Sequence, residues 1–574
     1  MLTTLMNHFK LNIKQTMVVM SLPVILYFMI GPLSVYCANL RDYHFYISDF
    51  FYVLAIVGVV IWLLGSVIIS VLPGNINKIA CTALSYIGIM SYVQDMWLNV
   101  KLAEDNGGNM DWGALSGVTR TNTAIWFTAF IVFVVLAIMF KGRFVKTVVY
   151  ISGFICAVQI VTLVSLFISG ISIESNALGS QDYGLVGDLQ YTVGAENNVI
   201  VFVVDTWGST QLEAGLSENS HLIDDFKDFT YYDNADSVYF RTFPSMTHML
   251  TGVDVDFSKT TQEYLFDAWN DENARGFYDV IHDAGYEFYL YSTGGDEVYG
   301  DAANQYGLID NVKPITWNVD KNAALVRMAK ISIYKYVPYI IKPRFEVVNY
   351  LFGYIASYAD ARDINCGNTL YYDGLKACGL SVSDTVKDSI IIQHIDGTHT
   401  PYTTNSECKG TSEGTLLSTQ EGIVFEITEY MNQLKELGLY DSATIIITAD
   451  HSSWTYENEA DDPQIVYFVK RPMQQQDSYV SNSAPISHDD FRATILSIIG
   501  QEYADYGKSI FDYGENELRE RMIVNQEYDD SYQRVAGSVS NIYSVYSYIG
   551  GKDDFISNVR EHGADEVYTI LRDK

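Results

Sequence analysis

Four short stretches of this 574-residue sequence carry groups able to do chemistry. NVIVFVVD ends on Asp205, SIIIQH ends on His394, and ATIIITADH ends on Asp450 and His451, each after a run of apolar, β-branched residues. Carboxylates mixed with imidazoles suit zinc, manganese or magnesium. The fourth stretch, RTFPSMTHMLTG at 241–252, supplies Thr242. A hydroxyl is a weak nucleophile until its proton is removed. Coordination to a divalent metal does this, and the same ion polarises a phosphoryl oxygen.

The elements that would position these groups follow from hydrophobic pattern. Runs at 198–205, 286–293, 388–394, 443–451 and 464–470 are continuously apolar and read as strands of a parallel sheet covered on both faces. Helical patterns, such as 265–285 and 424–440, lie between them and stop at Gly285 and near Gly438. Strand and helix in alternation predict an α/β domain with its ligand site beyond the carboxyl ends of the strands. One aspartate at a strand end is usually a turn or a cap. Three such ends, one bearing Asp-His, point to a site. Pro244 favours a first helical turn and Gly252 a stop, which puts Thr242 at a helix amino terminus where free N–H groups favour an anion. Alone, that pattern is no more than an N-cap.

The first part of the chain is of another kind. Segments near 17–38, 51–72, 79–99, 124–140 and 147–170 are each long and apolar enough to cross a hydrocarbon core of roughly 30 Å. The third carries Gln94 and Asp95 near its end. Lys10, Lys14, Lys78, Lys141, Arg143 and Lys146 all fall in loops of one side, the side retained in the cytoplasm. With five spans, the rest of the chain lies outside the cell. The expected layout is a membrane domain over 1–174, a linker over 175–195, an α/β domain over 196–515 and a C-terminal extension over 516–574.

Up to residue 175 the chain has nine Lys and Arg against seven Asp and Glu, and the remainder has 27 against 62, near −35. That surface is a poor partner for nucleic acid or anionic membrane. Basic and aromatic residues cluster at 327–354, which reads either as a membrane-interface segment or as a helical pair inserted on the outer domain. Cys366 and Cys378 form either a disulfide or two free thiols, and Cys408 is left over.

In order and rough spacing, VVDTWGS, RTFPSMTHMLTG, IIQHIDGTHTPY, IIITADHS and SHDDFRATILSIIG resemble the motifs of the sulfatase and alkaline-phosphatase superfamily. With five preceding spans, the chain is similar to membrane phosphoglycerol and phosphoethanolamine transferases, lipoteichoic acid synthases among them. The resemblance implies a membrane-anchored transferase with an extracytoplasmic catalytic domain. It would move a phospholipid head-group phosphate to a cell-surface glycan or polymer. It makes Thr242 the nucleophile and a ligand of a divalent ion (Mn, Zn or Mg), with Asp205, Asp450 and His451 completing the shell. His394 and His399 match the family's histidine pair near the substrate. His488 is either a third substrate contact or a helix-start residue. The chain departs from the pattern at Asp205, where relatives usually have Glu, and in SSWTYENEADD, which lacks the further His of the phosphoethanolamine branch.

Other readings are a phosphodiesterase or phosphatase of the same fold, a sulfuric ester hydrolase, and a surface scaffold without activity. Formylglycine sulfatases need Cys or Ser in C/S-x-P-S-R; Thr242 and Met246 stand at its first and last positions, which argues against that activity. The lysine and arginine bias makes a direct prediction. Residues 175–574 should be cleaved by protease added to intact cells, and protection of this region would reverse the orientation.

Overall fold

The structure is a computed structural model. It describes residues 2–38, 43–99, 112–113, 115–177, 181–256, 259–347, 355–452, 463–515, 517–527, 542–549 and 560–562. The chain divides into two compact units, residues 1–181 with 316–359, and residues 182–315 with 360–574.

The first unit is helical. Helix α1 (Leu2–Ile25) runs through a π turn (Leu26–Ile30) into α2 (Gly31–Ala38), followed by α3 (Ile47–Ser70), α4 (Gly74–Val93) and α5 (Ser116–Ala177). Among the described residues, three helices are long and apolar enough to cross a membrane, where the sequence suggested five: Met6–Ala38, Ile47–Ser70 and Ser116–Ile171. The expected third span falls on α4 and the π turn after it, where Asn77, Lys78, Ser85 and Ser91 dilute the apolar run. The expected fourth and fifth spans lie together in α5, broken at Lys141 (φ 46°, ψ −121°). The Phe133 and Phe144 ring centroids are 5.6 Å apart. Eleven residues of straight helix rise about 16 Å, so the chain turns back at Lys141. At the end of α4, the Gln94 side-chain oxygen accepts from Asn122 Nδ2 (2.9 Å) and Trp126 Nε1 (2.8 Å) of α5.

Residues 316–359 pack within this helical unit. Trp317–Val319 and Ala356–Tyr358 form a two-stranded antiparallel ribbon, and Asp320 caps the helix Lys321–Tyr336 that follows. Ala324 and Met328 are buried with Leu33, Tyr36, Phe50 and Leu54 of α2 and α3. Ser332 donates to the Tyr27 carbonyl at 2.7 Å, and Lys335 lies 3.4 Å from Asp95 and donates to Ser34 at 2.9 Å. The buried Lys342 ammonium donates to the Tyr334 carbonyl and lies 4.5 Å over the Tyr334 ring. The basic residues here are therefore spent partly on internal partners, and the helix packs on the apolar helices; part of the expected segment, 348–354, lies outside the described residues.

The second unit is built on a seven-stranded sheet. Its strands are β1 (Asn198–Val204), β2 (Thr230–Tyr232), β3 (Tyr286–Tyr291), β4 (Asp388–Ile395), β5 (Thr444–Thr448), β6 (Tyr467–Lys470) and β7 (Val480–Asn482), in spatial order β7-β2-β6-β5-β1-β4-β3. The four strands β3, β4, β1 and β5 are parallel. β6 runs antiparallel to β5, against the all-parallel expectation, and the short strands β2 and β7 have no clear apolar pattern. Val203 pairs with His394 on one side and with Thr448 on the other, so Asp205, His394 and the Asp450–His451 pair emerge at one edge of the sheet. The pattern expected as a single helix over 265–285 is two helices, because Asp271 N-caps a new one at Glu272.

The expected domain limits shift at both ends. Within 175–195, Tyr183–Leu185 pairs with Val312–Pro314 and Thr192–Val193 with Ser381–Val382, so the second unit begins before residue 196. Within 516–574, Glu520–Glu527 pairs with Ile542–Ile549, and Val524 N–H donates to the Val238 carbonyl at 2.8 Å. Buried Arg521 lies 3.1 Å from Asp236 and donates to Asn234, so the described part of this extension belongs to the second unit. Cys366, Cys378 and Cys408 are free thiols. The segment between the first two is the helix Asn368–Cys378, about 15 Å long, which holds them beyond disulfide reach.

Gly31 faces the inserted helix, and a Cβ there would stand 2.1 Å from Ser332 Oγ. Gly31→Val should therefore cost about 1–3 kcal/mol. The check is a lower unfolding temperature together with faster proteolysis inside 316–359.

Candidate metal centre

Each residue of the centre is set by the backbone that carries it. Asp205 follows β1, and its N–H donates to the Ile395 carbonyl of β4 at 3.0 Å. Gly397 passes so close that a Cβ would lie 2.5 Å from the Asp205 carbonyl oxygen, and its φ of +60° also favours glycine. Thr206 is left-handed too (φ 62°), uncommon for a β-branched residue, and this turns its N–H onto Asp450 Oδ1 at 3.1 Å. The His451 N–H donates to the same oxygen at 2.8 Å.

One oxygen of Asp450 is thus held by two backbone donors. The other, Oδ2, is buried with no hydrogen-bond partner among the described residues, 3.4 Å from His451 Nε2 and 3.8 Å from His394 Nε2. Asp205 Oδ1 is also buried without a partner, 3.7 Å from His451 Nε2. His451 Nδ1 donates to the Ser452 carbonyl at 2.8 Å, which leaves the Nε2 lone pair free. Ligand atoms of Asp205, Asp450 and His451 lie within 4.8 Å of one another. Two buried carboxylate oxygens without donors and one bare imidazole nitrogen are what a divalent cation would complete.

Thr242 joins them. Its hydroxyl lies close to the Asp205 and Asp450 carboxylates and favours the charged form of each. It opens helix α6 (Thr242–Thr251), which ends at left-handed Gly252 as its sequence indicated. Burial, then the Asp450 charge, push the Asp205 carboxyl well above its usual range. Burial pushes Asp450 up as well, but His451, His394 and the N–H and hydroxyl donors outweigh it and hold the group below its usual range.

The three histidines differ. His394 is buried, with Nδ1 2.9 Å from Ser292 Oγ. His399 is exposed, donates to the Thr400 carbonyl, and lines a cleft of about 430 Å³ with Asp205, Asp396, Asn368 and Thr403. His488 is buried: Nε2 donates to the Ala449 carbonyl at 2.9 Å and Nδ1 lies 3.2 Å from Ser245 Oγ. Both its nitrogens meet protein atoms, at the start of the short helix His488–Asp490. Burial, then His248, push its imidazole down to about 4.

Sequence reasoning missed three supports. Ser292 follows β3 and was open to the same strand-end rule that found Asp205. Ser245 donates to the Asp450 carbonyl from α6. Thr206 acts through backbone conformation, which leaves no trace in composition. SSWTYENEADD lies outside the described residues apart from Ser452.

No family model matches the chain, and no curated protein matches it in sequence. Among solved structures, it is similar to a protein in the alkaline phosphatase superfamily from Vibrio parahaemolyticus, at 12% identity over 68% of this chain and 87% of that one, with a TM-score of 0.38. A phosphonate monoester hydrolase from Silicibacter pomeroyi is 14% identical over 65% and 90% (TM-score 0.37). A lipoteichoic acid synthase from Listeria monocytogenes is 10% identical over 69% and 93% (TM-score 0.34).

If Asp205, Asp450 and His451 share one ion, replacing any one with Ala should empty the centre while the buried sheet stays folded. Metal analysis of the purified full-length protein, beside circular dichroism, checks this. Full metal content in Asp450→Ala would refute the ligand set.

Proposed function

We propose that this protein is a membrane-anchored, metal-dependent transferase that moves a phospholipid head-group phosphate, phosphoglycerol or phosphoethanolamine, to a hydroxyl of a cell-surface glycan or polymer. The observation that carries this reading is the hydroxyl of Thr242 close to the carboxylates of Asp205 and Asp450, each of which has one buried oxygen without a hydrogen-bond partner among the described residues. In this reading α4 and the two arms of α5 complete five spans, and the second unit is extracytoplasmic.

Asp205, Thr242, Asp450 and His451 would hold the divalent ion, Mn, Zn or Mg. Bound there, it makes the threonine oxygen nucleophilic and neutralises phosphoryl charge. The remaining work falls to the chain. The Asp205 and Asp450 carboxylates orient the hydroxyl and are the nearest acceptors of its proton. The Thr242 oxygen forms a bond to phosphorus as the bond to the diacylglycerol oxygen breaks, and that oxygen leaves with a proton from His399 or solvent. An acceptor hydroxyl then displaces the threonine and regenerates it.

Water in place of the acceptor would make the same site a phosphodiesterase or phosphatase. The apolar helices favour transfer, because they keep the site's chain with a lipid donor. A sulfuric ester hydrolase is disfavoured by Thr242 and Met246, and a surface scaffold would have no use for the four converging ligands.

Thr242→Ala should lose nearly all turnover and keep the fold, since few atoms are removed. Mass spectrometry of wild-type protein incubated with phospholipid should find head-group phosphate on the peptide containing Thr242, and the Ala variant should lack it. Undiminished turnover in Thr242→Ala would exclude a covalent threonine intermediate.

A further inference from the structure

The two histidines that face Asp450 Oδ2 are both held through Nδ1, but by partners of different kinds. His451 gives its Nδ1 proton to a carbonyl, so its Nε2 is bare. His394 has no carbonyl partner; its Nδ1 meets the hydroxyl of Ser292 at 2.9 Å. That hydroxyl oxygen receives two donors already, the phenol of Tyr299 at 2.9 Å and the N–H of Gly294 at 3.3 Å. A hydroxyl has two acceptor positions and one proton. With both positions taken, the Ser292 proton has His394 Nδ1 as its acceptor, and a neutral ring then carries its proton on Nε2. All three side chains are buried. Nε2 has no protein partner and stands 3.8 Å from Asp450 Oδ2, beyond hydrogen-bond distance.

We infer that Tyr299 and Ser292 are positioning residues that lock His394 as an Nε2–H donor, so that His394 hydrogen-bonds a phosphoryl oxygen of the substrate and is excluded from metal ligation. A protonated nitrogen offers no lone pair to a metal ion. A neutral imidazole is also a poor acid, since loss of its proton would leave an imidazolate. His394 therefore stabilises charge without moving a proton, and proton transfer at the departing oxygen falls to another group. This role rests on the phosphoryl-transfer reading, whereas the tautomer does not.

Two measurements separate these layers. In full-length protein with ¹⁵N-labelled histidine, assigned by loss of the signal in His394→Gln, the long-range ¹⁵N–¹H pattern of His394 should be that of the Nε2–H form. Ser292→Ala should admit the Nδ1–H form, and Ser292→Thr should restore the original. An Nδ1–H ring in the wild type overturns the inference whatever the protein's activity. For the role, turnover is read on a phospholipid and on a p-nitrophenyl phosphodiester. His394→Ala should lower kcat roughly 10²-fold, as loss of a charge-stabilising donor does. Ser292→Ala should lower it roughly tenfold with KM nearly unchanged, and Ser292→Thr and His394→Gln should recover part of the loss. The fold-loss should be alike on both substrates. A loss confined to the phospholipid, the poorer leaving group, would assign His394 to proton transfer and overturn the proposed role. Wild-type protein inactive on both would count against the transferase reading and leave the tautomer result standing.

Discussion

The centre depends on how one carboxylate is held. Asp450 is fully buried, and a buried carboxylate is costly unless donors surround it. Two backbone N–H groups meet one of its oxygens, and each requires a particular local geometry. The first comes from Thr206 in a left-handed conformation, and the second from the residue that follows Asp450 itself. With that oxygen fixed, the other can point only toward Thr242, His451 and His394. Burial of β5 on both faces and its register against β1 bring these parts together.

Much of this was legible in the sequence because it rests on short-range pattern. Continuous apolar runs marked all four parallel strands, and the rule that ligands gather beyond carboxyl ends then grouped Asp205, His394, Asp450 and His451. What was illegible rests on long-range partners. β6 has the same composition whether parallel or antiparallel, since both of its faces are buried. Residues 327–354 look equally suited to a membrane interface and to a domain surface. The place of the helix Lys321–Tyr336 beside α2 depends on Gly31, some 300 positions earlier, being small. The partners of His488, the Ala449 carbonyl and Ser245, likewise lie far from it in sequence.

The C-terminal residues illustrate a different limit. The tyrosine-rich sequence after 516 carries no chemical motif, yet Arg521 and Tyr548 both reach buried Asp236. Removing one partner of such a buried pair costs about 3–5 kcal/mol, because the other charge stays behind. Asp236 lies six residues before Thr242, so the C-terminal segment braces the chain that leads to Thr242.

The insertion of 316–359 into the helical unit has a consequence for how the protein could be released from a membrane. The chain passes between its two units three times, near residues 181, 315 and 359. A single cut in the first connection would leave the second unit tethered through both ends of the insert. Shedding it would take two further cuts, and the freed fragments would have lost the segment between them. Release by one proteolytic event, available where a single linker joins two units, is closed to this chain.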